Sequence, residues 1–117
     1  MRFSWAKAAI CGVVVGGACK SGSSVSSGCQ STAASAVVQA TDAKQFNPTP
    51  LQIGQTQSVC WENNGTLTHS VTFDAPDTTD ATLAPGYVVI KGFGTTPGDF
   101  TYHCKYHSTM TGVIQVR

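Results

Sequence analysis

One stretch near the carboxyl end carries side chains that can bind a soft metal ion. Cys104, His107 and Met110 follow the spacing Cys-x2-His-x2-Met, so a thiol, an imidazole and a thioether lie close together in the chain. Just before them, Phe100 and Tyr102 alternate with polar residues, which is the periodicity of a strand with one buried face. The alternation places Cys104 on the same buried face as the two rings. A tight loop after the strand would bring His107 and Met110 to the same point in space.

A histidine farther upstream offers one more ligand. His69 begins an alternating run with Val71 and Phe73, and the three side chains should share the buried face of another strand. A buried imidazole needs partners for its ring nitrogens. Two histidines, one cysteine and a weak axial methionine form the ligand set of blue-copper sites. The sequence therefore predicts one copper ion, alternating between Cu(I) and Cu(II), with the ligands His69, Cys104, His107 and Met110.

Other uses of these residues fit their spacing less well. Zinc sites usually have cysteine pairs at short spacing, and the sequence has none. The Cys-x-x-Cys-His motif of c-type haem attachment is also missing. Met110 taken alone would be an ordinary core residue. His103 lies on the opposite face of its strand from Cys104, so we expect it to be a surface histidine.

Further spaced residues extend the pattern over most of the chain. The segments are Phe46-x-Pro48-x2-Leu51-x-Ile53, Val59-x-Trp61-x-Asn63, His69-x-Val71, Pro85-Gly86 and Gly98-x-Phe100-x-Tyr102-x-Cys104-x2-His107-x2-Met110-x-Gly112. Over about residues 37–117 the chain resembles the plastocyanin/azurin group of cupredoxins. Its short ligand loop is most similar to that of amicyanin. Many members of this group have Asn directly after the first histidine ligand, where it helps to tie the two ligand loops together, but this sequence has Ser70.

The resemblance implies a role as well as a fold. Members of this family carry single electrons, and their second histidine ligand usually lies near the surface within an apolar patch. By resemblance that residue is His107, surrounded by Pro85, Met110 and Leu67, and a redox protein partner would dock there. A single site of this type has no open position for a substrate, so we do not expect an enzyme. We expect a monomer.

The composition favours an all-β domain. Charged residues make up only 11% of the 117 residues, and Thr, Ser, Gly, Val and Pro are plentiful, as in strand-rich sequences. Short alternating segments separated by regular turn signals predict seven to eight strands. We expect residues 37–117 to form a Greek-key β-sandwich of the cupredoxin type.

The first 36 residues differ from the rest. Residues 1–18 have a basic start and a short apolar run, too short to span a bilayer, and predict an export signal. Gly16-Gly17-Ala18-Cys19 resembles the end of a bacterial lipoprotein signal, which makes Cys19 a candidate lipid and membrane attachment site. Cleavage after a small residue and an uncleaved anchor are the alternatives. Residues 19–36 are rich in Ser, Gly and Ala and predict a flexible tether.

Two of the five cysteines are left when Cys104, Cys19 and the cysteine of the signal segment are set aside. Cys29 and Cys60 can pair in an oxidising compartment, but spacing alone does not decide whether they do. Cys60 alternates away from its two apolar neighbours, so we expect it toward the outer face of the sheet. The location that these features predict is the periplasm or cell envelope, as a membrane-anchored lipoprotein, or otherwise secretion.

The charge pattern gives no sign of a nucleic-acid partner. The formal net charge is +1, and the sequence has no basic patch. Asp74, Asp77 and Asp80 form a loose acidic loop, which either steers a basic partner or is a solvated turn. Three functions stay open: a one-electron carrier, an extracytoplasmic copper-binding or copper-delivery protein with the same ligands, and a structural or adhesion β-sandwich.

Overall fold

The computed structural model describes residues 28–117, which form a sandwich of two β-sheets. One 3₁₀ turn (Cys29–Ser31) precedes nine strands, and this part of the chain has no α-helix. None of its helical segments is long and apolar enough to cross a membrane. The predicted all-β sandwich is confirmed, with one strand more than expected. The strands are β1 (Ala36–Ala40), β2 (Phe46–Asn47), β3 (Leu51–Ile53), β4 (Ser58–Glu62), β5 (His69–Phe73), β6 (Asp80–Leu83), β7 (Val88–Gly92), β8 (Gly98–His103) and β9 (Thr111–Val116).

Both sheets mix parallel and antiparallel pairs. The first sheet has the strand order β2-β1-β4-β7, and the second has the order β3-β9-β8-β5-β6. Strand β1 runs parallel to β4, and β3 runs parallel to β9. The antiparallel pair of β5 and β8 sets Thr72 opposite His103 and Phe73 opposite Tyr102. This register brings the start of β5 beside the loop that follows β8.

The core between the sheets is built around aromatic rings. Tyr102 is 1% exposed, and its ring centroid lies 4.7 Å from that of Phe46, 5.4 Å from Trp61 and 5.0 Å from Phe73. Gly112 on the neighbouring strand leaves room for the phenol, since a Cβ there would lie 2.4 Å from the Tyr102 Cζ atom. Burial raises the pKa of Tyr102 to about 12, so the phenol is neutral under physiological conditions.

The segment before β1 covers part of the outer face of the first sheet. Cys29 forms a disulfide with Cys60 of β4 at an S–S distance of 2.08 Å, and the Cys29 N–H donates a hydrogen bond of 3.0 Å to Glu62 Oε1. Cys60 stands outside the core cluster that contains its neighbours Val59 and Trp61. It is nevertheless 0% exposed, because the covering segment lies over it.

The predicted tether therefore has two parts. Residues 28–35 lie against the domain, held by the disulfide and by a hydrogen bond of 3.0 Å from the Ser35 N–H to the Ser58 carbonyl. The low apolar content of this stretch gave no sign of the attachment, because the attachment depends mainly on one cysteine, Cys29. The predicted signal (1–18), the candidate lipidation site Cys19 and the remainder of the tether fall outside the described residues.

Strand β6 is a difference from the sequence prediction. The sequence pattern places Asp80 in an acidic loop with Asp74 and Asp77, but Asp80–Leu83 forms a strand that pairs with β5, with Leu83 opposite His69. This strand lies at the edge of its sheet and buries fully only Leu83. A strand with one fully buried side chain has almost no alternation to detect.

Candidate metal centre

The four predicted ligands lie at one end of the sandwich. His69 is the first residue of β5, and Cys104, His107 and Met110 belong to the loop between β8 and β9. Because β5 and β8 are antiparallel neighbours, the start of β5 faces this loop. The side chains of His69, Cys104 and Met110 are buried, at 0%, 1% and 1% exposure, and His107 is partly exposed.

The nitrogen and sulphur donors form a compact triangle. The Nδ1 atoms of His69 and His107 are 3.3 Å apart. Cys104 Sγ lies 3.4 Å from Nδ1 of His107 and 3.9 Å from Nδ1 of His69. A point equidistant from these three atoms lies about 2.1 Å from each, close to the bond lengths of a metal ion with nitrogen and thiolate ligands. The three side chains therefore fit one metal ion.

The ligand loop is folded by its own backbone. The Cys104 N–H donates to the Met110 carbonyl at 2.9 Å, the His107 N–H donates to the Cys104 carbonyl at 3.3 Å, and the Met110 N–H donates to the His107 carbonyl at 3.0 Å. These hydrogen bonds bend the loop so that Met110 comes back beside Cys104. The side chains of both residues belong to the same core cluster. The four side chains are positioned as a type 1 copper site, which is also the site that their donor chemistry suits.

Ser70 connects the two segments that carry the donors. Its N–H donates to Cys104 Sγ at 3.4 Å, and its Oγ accepts a hydrogen bond of 2.8 Å from the Lys105 N–H. Its hydroxyl also shares a hydrogen bond of 2.8 Å with Thr72 Oγ1. Ser70 is 0% exposed, so water does not compete for these bonds. The Ser70 hydroxyl thus connects the two donor segments, at the position where the family resemblance led us to consider Asn.

The environment of His69 favours a neutral ring. Burial lowers the pKa of His69 and the neighbouring His107 lowers it further, whereas the Thr41 carbonyl and the Asp42 carboxylate act in the opposite direction. Nε2 has no partner at normal hydrogen-bond distance in residues 28–117, so the Thr41 carbonyl acts on the ring at longer range. A neutral imidazole keeps a lone pair on Nδ1 for a metal ion.

His103 takes no part in the metal centre. Its side chain is 38% exposed, and its Nδ1 lies 2.9 Å from Asp74 Oδ1. Asp74 also accepts a hydrogen bond of 2.6 Å from the Thr101 hydroxyl. The prediction of a surface histidine is confirmed.

The acidic loop is paired with positively charged or titratable side chains. Each carboxylate lies 2.9 to 3.1 Å from its partner, and the pairs are Asp74–His103, Asp77–Lys91 and Asp80–Lys105. Two of the three carboxylates are paired with lysine ammonium groups, which leaves little net field. The loop is therefore a solvated turn rather than a steering patch.

Sequence reasoning missed Asn63 as a residue that supports the site. Its side chain is 1% exposed. Its Nδ2 donates to the Leu67 carbonyl at 2.7 Å and the Leu83 carbonyl at 3.0 Å, and its Oδ1 accepts from the Gly65 N–H at 2.9 Å. It thereby shapes the loop that enters β5. Its position two residues after Trp61 places it on the buried face, and this alternation was the signal that could have found it.

The chain is similar to proteins that carry the same fold. It is 35% identical over 85 residues to a plastocyanin from Synechococcus sp. (strain JA-2-3B'a(2-13)). The alignment covers 61% of this chain and 62% of the plastocyanin. Its structure matches an oxidised variant of amicyanin with a TM-score of 0.66 and 24% identity, covering 77% of this chain and 90% of amicyanin. The chain has the cupredoxin fold. The family resemblance predicted from the motifs is confirmed.

A second structural match extends the comparison. The chain also matches a purple cupredoxin from Nitrosopumilus maritimus with a TM-score of 0.63 and 19% identity, and the match covers 70% of this chain and 99% of that protein. At these identities the structural matches establish the shared fold. The chain spans about 62% of the length of the curated plastocyanin that it matches, and no protein-family model matches it.

Proposed function

We propose that this cupredoxin is a type 1 blue copper protein that carries single electrons between redox partners outside the cytoplasm. The main support is the triangle of two imidazole nitrogens and one thiol sulphur, 3.3 to 3.9 Å apart, with a buried methionine on the same loop. When bound, copper supplies a one-electron couple between Cu(I) and Cu(II). His69, Cys104 and His107 are the proposed strong ligands, and Met110 is the proposed weak axial ligand.

The protein's part in this function is to hold the donors still. Ser70 bonds to both Cys104 and Lys105, so the two donor segments cannot shift independently. The Ser70 N–H donates directly to the sulphur and thereby helps to fix its position. Donors that keep their positions in both oxidation states need little rearrangement during electron transfer.

His107 is the proposed point of electron entry and exit. It is partly exposed, whereas the other three donors are buried. Tyr106 beside it is 51% exposed, and Pro85 is exposed two residues after Leu83, which pairs with His69. An apolar surface of this kind suits the weak and brief docking of a redox protein partner.

The proposed location is the periplasm or cell envelope. The Cys29–Cys60 disulfide supports it, because disulfides persist in oxidising compartments and are rare in the cytosol. Export through residues 1–18 and anchoring through a lipid on Cys19 are predictions from the sequence, as are secretion without an anchor and the monomeric state. Loss of membrane association in a Cys19→Ser variant would support the lipid anchor, and continued association would point to an uncleaved segment.

The first test of the function is the visible and electron paramagnetic resonance spectrum of the full chain with one equivalent of Cu(II). A copper–thiolate bond should give intense visible absorption and a narrow copper hyperfine splitting. Cys104→Ser should remove the colour. His107→Gln should also alter the spectrum, whereas His103→Gln, on the solvent side of the neighbouring strand, is the matched control and should not. A colourless wild-type protein with ordinary tetragonal copper signals would contradict the proposal.

Copper delivery is the alternative that the same four ligands allow. Reversible redox cycling with fast electron self-exchange would support the electron carrier. Release of copper to an apo acceptor, without such cycling, would support delivery. Four protein donors leave no position for a substrate, so we propose no enzymatic activity.

A further inference from the structure

One carboxylate joins the turn after β1 to the loop that enters β5. Asp42 lies in a turn closed by a hydrogen bond of 3.0 Å from the Thr41 N–H to the Gln45 carbonyl. Its Oδ1 accepts hydrogen bonds of 2.8 Å and 3.2 Å from the N–H groups of Thr66 and Leu67. Its Oδ2 accepts from the Thr66 N–H at 3.1 Å and from the Thr66 hydroxyl at 2.9 Å. Asp42 therefore binds every polar hydrogen of Thr66 and the N–H of Leu67.

Gly65 makes this close approach possible. A Cβ at Gly65 would lie 2.2 Å from Asp42 Oδ1 and 2.7 Å from its Cγ, which is far inside contact distance. Even the smallest side chain at this position would push the carboxylate off the loop. The Gly65 N–H also donates to Asn63 Oδ1 at 2.9 Å, so the loop is held from two sides.

The loop that Asp42 holds leads directly to a proposed copper ligand. Leu67 precedes His69 by two residues, and the His69 ring is fully buried. The Asp42 carboxylate is thus bonded at 3.2 Å to the N–H of a residue only two positions before that ring. Hydrogen bonds from Thr66 and Leu67 lower the pKa of Asp42. The carboxylate is therefore ionised at neutral pH.

We propose that Asp42 is a positioning residue for the metal centre, where its carboxylate fixes the loop before His69 and places a permanent negative charge near that ligand. This role rests on the proposed function, because it concerns how the copper site is held and tuned. A nearby negative charge favours the more positive, oxidised state of the site. Loss of the charge should therefore raise the midpoint potential. Asp42 is exposed, so added salt should reduce the effect of its charge.

Three variants separate the charge of Asp42 from its hydrogen bonds. Asp42→Asn removes the charge and keeps one acceptor, Asp42→Ala removes both, and Gly65→Ala keeps the charge but displaces the carboxylate. Asp99→Asn is the matched control. Asp99 is also an exposed carboxylate, bonded to Arg117 at 3.0 Å, but it stands five residues before Cys104, roughly 16 Å along an extended strand.

Two measurements on the full chain test the proposal. The first is amide hydrogen exchange of the copper-free protein, in which Asp42→Ala and Gly65→Ala should each speed exchange at Thr66 and Leu67 by about tenfold. The second is the midpoint potential of the copper-loaded protein at low and high salt. Asp42→Asn should raise it, most clearly at low salt, and Asp99→Asn should leave it unchanged.

The outcomes distinguish this role from the function on which it rests. If Asp42→Ala leaves amide exchange, the midpoint potential and the copper hyperfine splitting as in the wild type, Asp42 is not a positioning residue. Equal potential shifts in Asp42→Asn and Asp99→Asn would also overturn the charge role, because they would indicate a general effect of net charge. A wild-type protein without a blue spectrum would instead refute the proposed function, and the exchange measurement would still report on the loop.

Discussion

Met110 is the residue whose replacement should change the potential and leave copper bound. A thioether is a weak axial donor, and a leucine of similar volume can fill the buried space without supplying a lone pair. Met110→Leu should keep the blue colour and raise the midpoint potential, because the lost donor stabilises Cu(II) more than Cu(I). Cyclic voltammetry measures the change. An unaltered potential would count against Met110 as the axial ligand.

Ser70 should contribute to both the spectrum and the stability. Ser70→Ala removes the acceptor of the Lys105 N–H and leaves that donor unpaired, which should cost about 1–3 kcal/mol in the free energy of unfolding. The copper hyperfine splitting should change as well, because the two donor segments lose one of their hydrogen bonds. Ser108→Ala, at an exposed position on the ligand loop, is the control. Equal stability and spectra in the two variants would show that the Ser70 hydroxyl is dispensable.

At the residue scale, the features that could be predicted are those that depend on residues close together in the sequence. The donors stand in periodic patterns within their own segments, so periodicity places His69 and Cys104 on buried faces. Asp42 and Thr66 are 24 positions apart, and Ser70 and Lys105 are 35 apart. Contacts over such distances depend on how the turns meet in space, which no local pattern encodes.

At the element scale, the segment before β1 and strand β4 form one covalent unit through Cys29 and Cys60. The sequence separation is 31, and closing a loop of that size in the unfolded chain corresponds to about 3–4 kcal/mol of stabilisation. The double variant Cys29→Ser/Cys60→Ser should therefore lower the free energy of unfolding by about 2–4 kcal/mol. Urea denaturation measures it.

The same experiment has an internal control. Wild-type protein treated with a reductant should lose the same stability as the double variant, and the variant should not respond to the reductant. Without reductant, the blue spectrum should persist in the double variant, because the disulfide lies outside the core cluster that holds Cys104. A variant as stable as the oxidised wild type would show that the covering segment contributes nothing to the fold.

The elements that could be predicted are those with two distinct faces. Strands β4 and β5 are of this kind, since apolar side chains alternate with other residues in their sequences, as Val59 and Trp61 do in β4 and Val71 and Phe73 do in β5. Strand β6 could not be found in this way, because it is an edge strand with one fully buried side chain. The attachment of residues 28–35 depends on a disulfide and a few backbone bonds, none of which leaves a periodic signature.

At the scale of the whole molecule, one ion pair joins the two sheets. Asp77, in the loop between β5 and β6, lies 3.0 Å from Lys91 of the edge strand β7. The Lys91 ammonium stands 5.2 Å from the ring centroid of Phe73 and 5.4 Å from that of Phe93. Burial alone would raise the pKa of Asp77, but hydrogen bonds from Thr79 and Lys91 outweigh it and lower the pKa to about 2.

This pair should make stability depend on pH. Because the folded pKa of about 2 is below the ordinary value of 3.8, the stabilisation is complete above about pH 4 and is lost as the pH falls toward 2. Asp77→Asn should lose on the order of 1 kcal/mol at pH 7, after allowance for solvent screening, and progressively less as the pH falls to 2. Thermal unfolding of both proteins between pH 2 and 7 measures the difference.

Asp80→Asn is the matched control for this experiment. Asp80 also bonds to a lysine, Lys105, at 3.1 Å, but both side chains are more exposed, at 47% and 41%. The Asp80→Asn substitution should therefore lower the stability by less than Asp77→Asn does at every pH. A difference between wild type and Asp77→Asn that does not vary with pH would refute the assignment of the titration to Asp77.

The placement of the donors along the chain has a consequence for folding. Three of the four stand between Cys104 and Met110 and remain near neighbours when the sandwich comes apart, whereas His69 is 35 positions from Cys104. The denatured chain should therefore still bind copper weakly through the three donors between Cys104 and Met110. Copper would then stabilise the native state by less than its affinity suggests, since part of that affinity is shared by the unfolded chain. Only folding brings His69 to the other three donors, so only the affinity that His69 adds stabilises the native state.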